Sequence, residues 1–318
     1  MKKRAFVLIM CLSVLLLCGC SQGQKKEWEN REGKPIVGAD ASGLEGEKNT
    51  YALYFRLGDT GFLAQEDRQL IVERDETVEM ALVRSLIAGP SATAADLVPL
   101  FPQGTEVLAT AKQGSTLYVT LNERFLSGYA AERGDGRPEE KKAAVQNERQ
   151  LCLDALAATL TEAGLCSRVQ VLIYRNQMQG NSMRLEEDFL LQNGSTLPLE
   201  PAVRREETLY TPHNAAMRIL TLWMNRNLPG LTDCLTASGR PGEQALAEQM
   251  DASPVLTGFS LGHGQVSADG KAAVICADLT LHQNGSDWTQ TGWPLTLTRE
   301  RGVWKINWDA LSGMMTED

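Results

Sequence analysis

The sequence predicts an α+β protein of two domains, each a mainly antiparallel sheet with helices packed on one face. Three observations carry this. The first half alternates short strand-like runs with only two helix-period stretches, too few to cover both faces of a sheet. The second half places its helices first and then four strand-like runs separated by turn residues. The composition is globular, with 318 residues, 43% hydrophobic and 22% charged, which is room for two cores.

The chain opens with Lys2-Lys3-Arg4 and an apolar run of 13 residues, 5–17. That run is too short to cross a bilayer comfortably and has the length of a signal-peptide core. It ends in Leu17-Cys18-Gly19-Cys20, which resembles the bacterial lipobox, where a Cys after a small residue is acylated and becomes the new N-terminus. Residues 1–19 are therefore read as a lipoprotein signal peptide and Cys20 as the lipidation site. The alternatives are an ordinary signal peptide or an uncleaved anchor; the polar Ser21-Gln22-Gly23 directly after Cys20 favours the lipobox. Cleavage removes Lys2, Lys3 and Arg4 and takes the net charge from −9 to −12. So acidic a chain is repelled by anionic headgroups, so the expected membrane link is the N-terminal lipid. The same charge balance argues against nucleic acid as a partner. Residues 20–50 are polar and aperiodic and read as a flexible tether spanning about 30 Å.

Residues 51–57, Tyr-Ala-Leu-Tyr-Phe-Arg-Leu, read as a strand and Gly58-Asp59-Thr60-Gly61 as a turn. A second strand is expected over 68–74, then a helix over 76–88 capped by Asp75, with Val78, Leu82, Val83, Leu86 and Ile87 on one side. Gly89-Pro90 ends that helix abruptly, since Gly takes the left-handed conformation freely and Pro cannot continue a helix. The loop that follows holds a single charge, Asp96, and closes on the turn Pro102-Gln103-Gly104. Strands over 106–111 and 116–122 form a hairpin across Gln113-Gly114-Ser115. Residues 127–142 read as an exposed, charged insertion. A helix over 144–163 carries a stripe of Cys152, Leu153, Leu156 and Leu160, with Asn147, Gln150, Asp154 and Thr161 facing out; Gly164 closes it, and 168–176 is a strand.

Several of these pieces, in this order, carry a resemblance. They are Leu53-Tyr54-Phe55-Arg56-Leu57, Leu86-Ile87-Ala88-Gly89-Pro90-Ser91, Leu100-Phe101-Pro102-Gln103-Gly104-Thr105, the helix ending Thr161-Glu162-Ala163-Gly164, and Val169 to Tyr174. Together they resemble the GerMN domain of sporulation and spore-germination lipoproteins. The resemblance implies a non-catalytic protein-interaction module, related in build to ring-forming secretion modules, with self-assembly as an option. It places a GerMN-like domain at 51–180.

Residues 181–208 bear prolines and polar side chains and read as a linker. A helix is expected over 211–227, stopped by Pro229-Gly230, then a shorter one over 242–250. Strands follow over 255–266, 271–282, 288–299 and 302–308. Helices followed by such a meander, ending in Gly302-Val303-Trp304-Lys305-Ile306-Asn307-Trp308, resemble the NTF2-like, cystatin-like fold, here at 209–318. Trp288 and Trp293 can line the mouth of such a domain's pocket, or simply pack.

No constellation for chemistry emerges. The three histidines, His213, His263 and His282, all lie in the second half, so no Ser-His or Cys-His centre is available to the first. His263 and His282 sit beside turns without supporting metal-ligand spacing. Cys152 reads as a buried inert thiol, while Cys234 and Cys276 can bridge or stay reduced. The run Glu186-Glu187-Asp188 lacks the ligand spacing of a calcium loop. The expectation is a lipid-anchored protein on the outer face of the cell membrane, not an enzyme, without cofactor or metal. It acts as a scaffold toward an envelope protein partner in sporulation or germination; the alternative is a ligand-binding sensor using a pocket in the second domain.

Overall fold

A computed structural model describes residues 49–175 and 181–314. The expected signal peptide, Cys20 and almost all of the tether lie outside the described residues. The described residues form one compact unit.

Strand β1 (Thr50–Leu57) pairs antiparallel with β2 (Leu63–Gln69) across the predicted turn. The second strand thus starts five residues before the expected position. The apolar trio Leu70-Ile71-Val72 that suggested a strand lies outside it, with Ile71 and Val72 exposed. Helix α1 (Val78–Ile87) is capped by Thr77, not Asp75: the Thr77 side chain accepts from the Met80 N–H at 3.2 Å. Ala81, Leu82, Val83 and Leu86 form its buried face.

The stop at Gly89-Pro90 is built as the residues require. Gly89 has φ +89°, where an L-residue is strained. Arg68 on β2 reaches the end of α1 and donates to the carbonyls of Ser85 (3.3 Å) and Gly89 (3.0 Å). Glu66, paired with Arg68 at 2.9 Å, accepts from the Ser91 N–H at 3.1 Å. One ion pair therefore satisfies groups on both sides of the stop.

The loop then contributes a two-residue strand, β3 (Leu97–Val98), to the far edge of β1, giving a three-stranded sheet of order β2-β1-β3. Strands β4 (Val107–Gln113) and β5 (Thr116–Asn122) make the expected hairpin. The insertion is only partly exposed loop. It carries a short helix, α2 (Ala130–Arg133), beside a fully buried Tyr129, and the next helix, α3 (Pro138–Glu162), begins inside it. Asp154 on α3 is buried rather than solvent-facing.

Strand β6 (Arg168–Tyr174) lies parallel to β5, with α3 as the crossover. Residues 181–208 do not behave as a free linker. Strand β7 (Ser182–Arg184) extends the second sheet to β4-β5-β6-β7, and a short helix, α4 (Asp188–Leu191), brings the Phe189 ring to 5.3 Å from Phe125. Ala202 exchanges two 2.8 Å backbone hydrogen bonds with Val169. The first half therefore holds two sheets, not one, and its strands run on past residue 180.

The second half follows the expected order. Helix α5 (Pro212–Met224), capped by Thr211, buries Ala215, Ala216, Ile219, Leu220 and Trp223. Pro229 does not stop the chain; it sits in the first turn of α6 (Leu228–Asp233), where a missing N–H costs nothing. Helix α7 (Glu243–Ala252) precedes an antiparallel meander, β8 (Val255–Val266), β9 (Ala272–Gln283), β10 (Ser286–Glu300) and β11 (Val303–Ile306), in the order β11-β10-β9-β8. A last helix, α8 (Trp308–Met314), closes it. On β9, Ala273, Ile275, Ala277, Leu279 and Leu281 are buried while Val274, Cys276 and Asp278 are exposed, so helices cover one face of this sheet. The architecture is α+β with sheets that are mainly antiparallel.

Candidate functional site

All four residues of β11 are buried, although it is an edge strand. Val303 and Lys305 on one face line a cleft with Leu57 and Asp96 of the first half, and Trp304 on the other lines a smaller one with Tyr54 and Leu63. Lys305, only 7% exposed at its side chain, donates to Asp96 at 2.9 Å; Asp96 is 43% exposed. The single charge in the loop after Gly89-Pro90 thus partners the single charge in an otherwise apolar strand of the second half. An unpaired ammonium at that depth would cost several kcal/mol.

Further contacts fasten the junction. The Tyr210 N–H donates to the Leu63 carbonyl at 2.7 Å, and the Tyr210 ring stands 5.6 Å from that of Phe62. Arg299 lies 3.8 Å from Asp67. Gly302, φ +89°, packs so tightly on β2 that a Cβ there would stand 1.9 Å from the Gln65 carbonyl oxygen. Beside the junction but within the first half, Arg204 contacts Glu162 at 2.6 Å and stacks over Tyr54.

Beside this junction lies a cleft of about 650 Å³, lined among others by Gly58, Phe62, Asp96, Tyr210, Arg218 and Lys305. Burial pushes the Tyr210 hydroxyl well above its ordinary value and the Cys234 thiol up, so both stay neutral at physiological pH. The cleft can hold a polar ligand through Arg218, Asp96 and backbone groups. It offers no nucleophile paired with a base.

The residues singled out in the sequence fall elsewhere. Cys20 lies outside the described residues. His213 is exposed on α5, and His263 and His282 lie on β8 and β9. The strand register puts His263 near Cys276, roughly 20 Å along β9 from His282, so they do not form a metal pair. His282 Nδ1 instead meets Asp287 at 2.5 Å. Among the described residues no group of three His, Cys, Asp or Glu has a metal-binding arrangement. Glu187 and Asp188 are engaged by Ser195 and the Gly194 N–H. Cys152 is fully buried, donates to the Leu100 carbonyl, and burial pushes its thiol up; Cys234 and Cys276 are both free, one buried and one exposed. Trp288 and Trp293 pack half-buried against the core.

The junction residues escaped the sequence reading because they come from distant segments. The available signal was weak: one acid in an otherwise uncharged loop, and one lysine within the apolar run Val303 to Ile306.

Comparison with known proteins bears on the first half. The family model described as "Germane: Sporulation and spore germination" matches residues 52–174. No curated protein matches the chain. Solved structures similar to it include the first GerMN domain of the sporulation protein GerM from Bacillus subtilis, with 14% identity, 50% of this chain and 98% of that one covered, and a TM-score of 0.34. A putative lipoprotein from Clostridium perfringens has 21% identity, 50% and 89% coverage, and a TM-score of 0.27. A ketosteroid isomerase-like protein from Erwinia carotovora atroseptica has 18% identity, 30% and 86% coverage, and a TM-score of 0.23. Those scores are too low to argue from, so the assignment rests on the family model and on the sequence order it matches. Among the described residues no helix is long and apolar enough to cross a membrane. Residues 52–174 of this chain match the Germane family of sporulation and spore germination.

Proposed function

We propose that this protein is a lipid-anchored scaffold on the outer face of the cell membrane, acting through protein interaction in sporulation or germination and not as an enzyme. The observation that carries the reading is a Germane domain directly behind a lipobox-like Cys20 and a polar tether. Acyl-chain burial supplies about 0.8 kcal/mol per CH₂, and two or more chains give stable anchoring. Cys20→Ala should leave the chain unprocessed or release it. Fractionation with intact-mass measurement checks this, and a processed, unacylated Cys20→Ala protein that still sediments with membranes refutes the anchor. Deleting residues 51–176 should lose a partner captured by crosslinking in intact cells; retention of that partner refutes the scaffold role for the Germane domain.

A second reading, a ligand-binding sensor, draws on the cleft. The cavity that favours it lies between the two halves rather than inside the second. Native mass spectrometry of the purified full chain with a small molecule retained, and its loss in Arg218→Ala, would favour the sensor.

A further inference from the structure

Among the described residues Asp154 Oδ2 is one of three buried side-chain atoms without a hydrogen bond, with Arg149 Nε and Gln283 Oε1, and the one of the three that belongs to an acid. The Asp154 side chain is 1% exposed, yet it sits on α3 where the helix meets a cavity rather than the apolar core. Oδ1 accepts from the Gln150 amide at 2.8 Å. Oδ2 is buried without any hydrogen bond, and its charged neighbour is Arg205, whose Nη1 stands 3.5 Å away. Arg205 is itself drawn off toward Glu207 at 3.0 Å and is 39% exposed, so it can swing aside. A buried acceptor left unmatched needs an explanation.

The cavity beside it measures about 380 Å³, within the range of small-molecule sites. It lies between α3, the β1–β2 turn and the segment around Arg205. Its polar lining holds both donors and acceptors. Arg56, Arg205 and the amides of Asn147 and Gln150 donate; Asp59, Glu148 and Asp154 accept; Thr60 and Thr208 do either. Two guanidinium groups face three carboxylates, and Arg56 is already engaged by Glu148 at 3.4 Å and Asp59 at 3.8 Å. With Arg56 and Arg205 paired in this way, the lining keeps at most one net negative charge, which disfavours an anion and leaves the acids already engaged. The lining suits groups that donate and accept at once, which is what a hydroxyl does: it can donate to Asp154 Oδ2 and accept from Arg205. Burial also raises the Asp154 pKa, and a hydroxyl can match either protonation state.

We propose that this cavity is a binding site for a neutral polyhydroxylated ligand, one or two sugar rings in size, with Asp154 as its anchoring group. The site lies within the first half and apart from the junction pair Asp96–Lys305. It does not depend on the scaffold reading.

Saturation-transfer NMR on the full chain tests this, in a detergent without a sugar headgroup. The probes are N-acetylglucosamine and its β-1,4 tetramer. Ring-proton transfer is expected for the wild type and a loss of at least fivefold in Asp154→Leu, whose melting temperature should not fall because the unmatched carboxylate is gone. Tetramer binding tenfold tighter than monomer points to a glycan strand as the source; equal binding points to a free sugar. If Asp154→Leu does not fold, Asn147→Ala, exposed on the rim, serves in its place and should weaken transfer at least threefold. No transfer to either probe at millimolar concentration, or transfer undiminished in the folded variant, overturns the proposal.

Discussion

Removing Asp96 isolates a charge that the fold has buried. Lys305 and Asp96 stand 2.9 Å apart, and at an effective dielectric of about 20 their attraction is about 6 kcal/mol before desolvation. Desolvation of the ammonium consumes most of that. Breaking a fully buried pair costs about 3–5 kcal/mol, and an exposed pair about 0–1 kcal/mol. With Lys305 7% and Asp96 43% exposed, screening at the Asp96 end places Asp96→Ala between these limits, at about 2 kcal/mol. For a unit of this size that lowers the melting temperature by about 4–8 °C. The asymmetry is the sharper test. Lys305→Met leaves Asp96 hydrated and fills the buried space, so it should cost under about 1 kcal/mol, and the double variant should resemble it. Thermal and urea unfolding of the four proteins measure the cycle. If Asp96→Ala lies within about 0.5 kcal/mol of wild type, or Lys305→Met costs more than Asp96→Ala, the account of the junction is wrong.

Gly302→Ala should destabilise by about 2–4 kcal/mol, combining left-handed strain with a clash that forces β2 and the β10–β11 turn apart. Gly270→Ala, also left-handed but in open space, is the control and should cost only about 1 kcal/mol; equal losses in urea melts would remove the clash from the explanation. Because the Asp154 pKa is raised in the folded chain, its burden is absent below the unfolded carboxylate range and grows as pH rises through the window between the unfolded and folded values. Asp154→Asn should therefore gain stability relative to wild type from about pH 4 toward neutrality, and parallel pH profiles would contradict this. A chain ending at 180 loses the buried side chains Leu185 and Phe189, so residues 49–203 should be more stable than 49–180 by about 3 kcal/mol or more in denaturant titrations. Equal stability would mean that residues 181–203 contribute no packing.

Local chemistry wrote most of the elements into the sequence. Gly89-Pro90, the hairpin turn at Gly114 and the alternation along β9 each depend on neighbours a few residues away, and each is found where its residues put it. The Germane resemblance was legible for the same reason, as an ordered series of such local signals. The second strand was misplaced because Leu70-Ile71-Val72 has strand-like composition, whereas the true β2, from Leu63 to Gln69, is held by backbone pairing to β1 despite its polar side chains. Periodicity likewise put Asp154 on the solvent side of α3, but Arg205 and the β1–β2 turn close over it from segments that no helical wheel includes. The same holds for Asp96 and Lys305. Each residue's local pattern says only that a charge stands among uncharged neighbours. That the two meet, and that Lys305 is buried by their meeting, follows from packing β11 against the first half, and burial depends on what arrives from elsewhere in the chain.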